Sequence, residues 1–288
     1  MALKVKKCII AAVVVFTIVF SFLLVSLICN GNISNASSKF SLYYNDSSYL
    51  GGEFSTTDTE TINYATKNEQ VYSINPSFPE YYNISSLSNT CANVAAANIL
   101  GYYDRYYDNL IPNSTAGMLR GDTYIYFPMS YQQEGRQYVI NTLYTLMGTN
   151  TENSGTSHEQ YRNGMNSYVS SCGRNVSYSS VMNEAGINVS AVINALDNGL
   201  PMIVFLSGYN ISVYSTSDGY DTWIKKIYSG NHMMAVYGMK TISYYDELGT
   251  LIASRTIFYV STGFSTERGI YVLNNNGAII EAESVNIY

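Results

Sequence analysis

Histidine and cysteine are both scarce in this chain, and their scarcity narrows the chemistry at the outset. Two histidines, His158 and His232, cannot build a site that needs several imidazoles. Of the four cysteines, Cys8 and Cys29 lie near the N-terminus, which leaves Cys91 and Cys172 for the rest of the chain. A disulfide scaffold needs more than that, and a chain of this length buries enough surface to fold without one. A single Cys91–Cys172 bridge stays open. Two cysteines and two histidines suffice in number for tetrahedral zinc, but their spacing lacks the short paired-ligand signature, so no metal and no cofactor are expected. Charged residues make up only 12%, the formal net charge is −6, and there is no basic run. Such a chain has little with which to neutralise a phosphate backbone, so no nucleic-acid partner is expected. Phosphate-cradling GxxxxGK[ST] and GxGxxG motifs are absent, as is the HExxH zinc motif.

What is present begins with MALKVKK, where Lys4, Lys6 and Lys7 precede an uncharged apolar stretch from Ile9 to Ile28. This reads either as a signal peptide or as an N-terminal membrane anchor over residues 1–30, with anchorage through 9–28 in the second case. Both place the lysines on the cytoplasmic side and export the rest, which is then secreted or held at the outer face of the membrane. Cys29 follows Ile28, not the small residue that precedes a lipid-bearing cysteine. Residues 31–75 are rich in Asn, Ser and Thr with short apolar runs, and read as a linker or a pro-segment covering a cleft. A domain is expected over 76–288, with 29 tyrosines in the chain supplying packing area with polar tips.

Within that domain CANVAAANILGYYD, residues 91–104, predicts a helix with Asn89 and Thr90 as candidate caps. A second is expected over 136–147, from the spacing of Tyr138, Val139, Thr142, Leu143 and Leu146. Ser157 and Gln160 form a capping box for a third, whose apolar face carries Tyr161, Met165, Tyr168, Val169 and Cys172. A short helix over 190–198 ends at Gly199, and MIVFL after Pro201 reads as a central strand. HMMAVYGM, RTIFYVS and GIYVLN then read as sheet strands. Helices followed by strands predict an α+β fold.

The residues that carry chemistry are Cys91 and His232. A thiol in the first turn of a helix is stabilised as thiolate by free backbone N–H groups and the positive dipole end. On local pattern alone Cys91 is equally a core cysteine. His232 opens an apolar strand after a turn, and its interval from Cys91 is that of papain-type enzymes. Cys172 continues the apolar face of its helix and reads as packing; His158, one turn before Tyr161, reads as a local packing or capping residue.

Taken together, NTCANVAAANILGYYD, NALDNGLPMIVFL and GNHMMAVYGM occur in an order that resembles papain-like cysteine peptidases, in particular the bacteriocin-processing branch, over about residues 80–275. The resemblance implies a papain-like fold with a helical N-terminal half packed against an antiparallel C-terminal sheet. It also implies thiol-dependent hydrolysis of a peptide or protein substrate, with Cys91 as nucleophile and His232 as general base and acid. The third residue corresponds to Ser261 in FYVSTGF, with Asp246 as the carboxylate alternative. The glutamine that serves relatives as oxyanion donor is Ser85 here, with Asn83 and Asn89 as substitutes. These departures keep a second expectation alive, a catalytically silent surface binding or adhesion module.

Overall fold

Strands, not helices, open the described part of the chain. The computed structural model describes residues 56–74, 77–152, 154–208, 210–227, 231–264, 268–272 and 279–288, all within the unit Asp46–Tyr288. The signal or anchor expected over 1–30 lies outside the described residues. Among the described residues no helix is long and apolar enough to cross a membrane.

Strands β1 (Thr56–Asn63) and β2 (Thr66–Ser73) precede helix α1 (Cys91–Asp104). Hairpin β3 (Gly117–Arg120) and β4 (Thr123–Tyr126) leads to α2 (Gln133–Leu146) and α3 (His158–Ser171). Then come β5 (Val176–Ser180), the hairpin β6 (Met182–Asn183) and β7 (Gly186–Ile187), and α4 (Val189–Asp197). The rest is strand: β8 (Met202–Ser207), β9 (Asn210–Ser217), β10 (Tyr220–Ile227), β11 (Asn231–Tyr245), β12 (Leu251–Ser261), β13 (Arg268–Val272) and β14 (Ile279–Ile287).

The expected α+β, papain-like division into a helical N-terminal half and a C-terminal sheet is therefore overturned: the protein is mostly antiparallel sheet, curled into a half-barrel, with four short helices set among strands. The reason is local. Thr56–Ser73 lies in the segment read as a linker or pro-segment, yet it forms edge strands of two sheets. An edge strand with one wet face needs little hydrophobic periodicity, and TKNEQVYS alternates exposed with half-covered residues.

A seven-stranded sheet runs β13-β12-β11-β8-β14-β5, with β2 also on β11, and a three-stranded sheet runs β1-β10-β9. At 15 residues, β11 is long enough to take two partners on one edge. Its first part, Asn231–Val236, pairs β8, and Gly238–Tyr245 pairs β2. Between them lies a bulge at Val236/Gly238 on the β12 side. Gly238 is required there, because a Cβ would stand 2.9 Å from the Tyr259 ring and 3.0 Å from the Tyr72 carbonyl.

On one face of the sheet Met202, Val204, Leu206, Met234, Val236, Phe258 and Val260 pack with α4 through Val192, Ala195 and Leu196. Toward α1, Phe78 stacks between Tyr237 of β11 and Tyr102 of α1, at 5.1 and 5.6 Å between ring centres. Helix α1 is enclosed on every side from Ala92 to Asp104, which is why its sequence is so rich in alanine. Full burial of Ile99 and Leu100 contributes about 1.5–3 kcal/mol each.

A buried ionic cluster joins the two sheets. Asp221 of β10 has no exposure and accepts from Lys67 Nζ of β2 at 3.1 Å and from the Tyr244 hydroxyl of β11 at 2.9 Å. Tyr64 and Thr216 donate to the same carboxylate. Lys240 of β11 pairs with Glu69 of β2 and donates to the Tyr214 hydroxyl at 2.7 Å.

Candidate thiol–imidazole site

The chain enters α1 through a left-handed residue, Asn89 at φ 57°, followed by Thr90, whose carbonyl accepts the first helical bond from Val94 N–H at 2.9 Å. Thr90 caps through its backbone alone. Cys91 is the first helical residue and keeps part of its surface exposed. The backbone of Met233, Ala92 and Cys91 itself favours its thiolate. Two of those groups belong to the helix start, where N–H groups lack intrahelical acceptors. The third belongs to β11, one residue beyond His232. Burial still wins: it pushes the Cys91 thiol above its ordinary pKa, against the three backbone bonds that favour thiolate.

His232 opens the pairing of β11 with β8, opposite Leu206. It is buried at 8% exposure, and its Nε2 lies 2.7 Å from the Thr262 carbonyl oxygen. A carbonyl only accepts, so Nε2 carries the proton and Nδ1 is the basic nitrogen. The ring stacks face to face on Phe264, with centroids 4.5 Å apart and planes 6° from parallel. Burial lowers the imidazole pKa to about 4, with the Thr262 bond opposing. Near neutral pH, thiol and imidazole are both uncharged.

Phe264 and Thr262 reach the ring through a turn at Gly263, whose φ of +76° suits glycine and whose Cβ would stand 3.2 Å from Val94 of α1. The Thr262 hydroxyl closes that turn by accepting from Phe264 N–H at 3.2 Å.

The structure thus joins the start of α1 to the start of β11, and it places the other expected residues elsewhere. Ser261 pairs with Ala235, and directly opposed residues share a face. His232 stands three residues from Ala235, so strand alternation sends Ser261 to the opposite face of the sheet. A backbone carbonyl one residue later, that of Thr262, accepts from the imidazole. Asp246 lies beyond the far end of β11 and accepts from Leu248 and Thr250 N–H in the hairpin turn. Asn83 and Ser85 bond each other, and Asn83 also donates to the Leu87 carbonyl at 2.9 Å, so both organise the approach to the helix. The Asn89 amide donates to Asn150 and Ser154.

Cys91 and Cys172 are both free thiols, which removes the bridge. Cys172 caps the C-terminus of α3, where its carbonyl accepts from Asn109. His158 starts α3 beside Glu281 and Glu283 of β14 and meets Phe205 edge-on. Among the described residues no group of three or more His, Cys, Asp or Glu is arranged to hold a metal ion. A cleft of about 710 Å³ lies between β1, β10 and the β6–β7 hairpin, lined by Glu60, Trp223 and Arg255 among others, and neither Cys91 nor His232 borders it.

Thr262, Gly263 and Phe264 escaped the sequence reading because that reading sought a side chain to orient the imidazole. The turn residue Gly263, next to an aromatic at a strand end, was the available signal. The chain matches no protein-family model, no curated protein and no solved structure.

Proposed function

We propose that this protein is a thiol-dependent peptidase acting on exported or extracellular peptide or protein substrates, with Cys91 as nucleophile and His232 as general base and acid. The observation that carries the reading is a thiol at a helix start whose charged form is favoured by the backbone of Met233, the residue next to an imidazole whose Nε2–H is fixed on Thr262. Nδ1 takes the thiol proton as sulfur attacks the substrate carbonyl carbon and the C–S bond forms. The Cys91 backbone N–H supplies an oxyanion donor. The imidazolium returns its proton to the leaving nitrogen as the C–N bond breaks, and water then cleaves the thioester to regenerate the thiol. The resemblance of the motif order to the bacteriocin-processing branch supports the substrate class, and the apolar stretch Ile9–Ile28 supports the exported location.

The test is hydrolysis of casein and of a mixed fluorogenic peptide set by the full chain. Cys91→Ala is expected to remove activity by about a thousandfold or more while the fold survives. Unchanged hydrolysis in that variant would falsify the nucleophile. A second reading, a silent binding module, draws on one observation: the imidazole is oriented by a neutral carbonyl, which lends an imidazolium less support than a carboxylate. It predicts an intact chain whose Cys91 alkylates slowly and whose peptides stay uncut.

A further inference from the structure

We infer that Asn150 is the positioning residue of the nucleophile, holding the left-handed turn from which Cys91 begins its helix. The inference rests on the reading of Cys91 as nucleophile. Asn89 stands two residues before the thiol at φ 57°, a conformation that costs a non-glycine residue about 1 kcal/mol unless its surroundings hold it. What holds it is its own amide, which donates to Asn150 Oδ1 at 2.8 Å and to Ser154 Oγ at 3.0 Å.

Asn150, itself left-handed at φ 64°, uses its whole side chain. Its Oδ1 also accepts from Gly155 N–H at 2.7 Å, and its Nδ2 donates to the Tyr144 hydroxyl at 2.8 Å and the Ser88 carbonyl at 3.3 Å. One residue therefore ties together the two residues Ser88 and Asn89, its own loop, and helix α2. The same loop grips the nucleophile helix again beyond the thiol. Asn93 Nδ2 donates to Thr149 Oγ1 at 3.1 Å, and Thr149 shares a 2.8 Å hydroxyl bond with Thr156.

Cys91 is thus bracketed at two residues before and two after by one loop, and neither Asn89 nor Asn150 needs to touch the sulfur. The dihedrals of residues 89–91 set where the Cys91 and Ala92 N–H groups point, and the backbone of those two residues favours the thiolate. Asparagine suits position 150 because it offers an acceptor and a donor on one short arm and tolerates the left-handed region. Aspartate would lose both donated bonds, and glycine would keep the backbone while losing all four.

The experiment reads Cys91 directly: alkylation of the full chain by iodoacetamide across pH, with each cysteine quantified by mass spectrometry and Cys172 as internal reference. Asn150→Ala is expected to move the midpoint of the Cys91 profile up by about half to one pH unit, a three- to tenfold slower reaction below the midpoint, with Cys172 unmoved. Asn89→Gly, which keeps the turn without its bonds, and Ser154→Ala on the exposed rim should move it the same way by less. These two milder variants decide the matter if Asn150→Ala does not fold. An unmoved Cys91 profile, or equal shifts at Cys91 and Cys172, overturns the role. Hydrolysis does not enter this readout, so an inactive wild-type chain would sink the peptidase reading while leaving the positioning result standing.

Discussion

The two ends of β11 carry two polar clusters built on opposite principles. At the Tyr244 end, the Asp221 carboxylate is surrounded by a cation and hydroxyls from four other segments, and every contact stabilises charge already present. At the His232 end, the imidazole meets the Thr262 carbonyl and the Phe264 ring, and burial favours the neutral forms of both imidazole and thiol. The first cluster is finished in the folded state. The second is arranged for charge that appears only when a proton moves from sulfur to nitrogen, which is the difference between a clamp and a reactive centre.

Three changes test that contrast. The largest effect is expected from Asp221→Ala, which removes the buried acceptor shared by Lys67, Tyr64, Thr216 and Tyr244, leaves Lys67 to Glu69 alone among the carboxylates, and should cost about 3 kcal/mol in urea unfolding. The Cys91 alkylation profile should stay in place in molecules that remain folded; a shift there would show that the clusters are coupled along β11.

Next comes the pH dependence of stability. A base whose folded pKa is depressed favours folding above its unfolded pKa, near 6.5, and loses that contribution as pH falls toward its folded value of about 4. The wild type should therefore lose up to about 3 kcal/mol between pH 6.5 and 4 through this residue alone. His232→Gln should flatten that limb of the curve. Equal acid sensitivity in both proteins would place the imidazole in contact with water.

The smallest effect belongs to Gly263→Ala, about 1–2 kcal/mol for a left-handed alanine crowding Val94. Its diagnostic value lies in the split: kcat should fall more than stability accounts for, because the Thr262 carbonyl moves relative to Nε2. A change in KM alone would assign the turn to substrate binding.

Much of the local structure was legible beforehand. The helix over 91–104 has the expected ends, and the Ser157–Gln160 capping box forms in both directions. Strand β11 begins one residue before His232, as an apolar run after a turn implied. What escaped was everything decided by partners far along the chain. The sequence TETIN has no apolar stripe, and β1 exists because β10 offers it an edge. Ser261 came from the motif order alone, whereas register across the β11–β12 ladder sets its side chain on the face of Ala235. The Asn89–Asn150 bond joins two loops whose asparagines look like ordinary turn residues until the fold sets them together.

The bulge beside Gly238 sets the phase of the long strand. Because one extra residue is absorbed there, the stretch from Asn231 to Val236 is out of step with the half that grips β2. Deleting Tyr237 would leave Val236, Gly238 and Met239 opposite Val260, Tyr259 and Phe258, an unbroken pleat in which the stretch from Asn231 keeps its face. The imidazole would stay where it is, and the molecule would lose the Tyr237 ring that stacks on Phe78 and links the strand to the nucleophile helix.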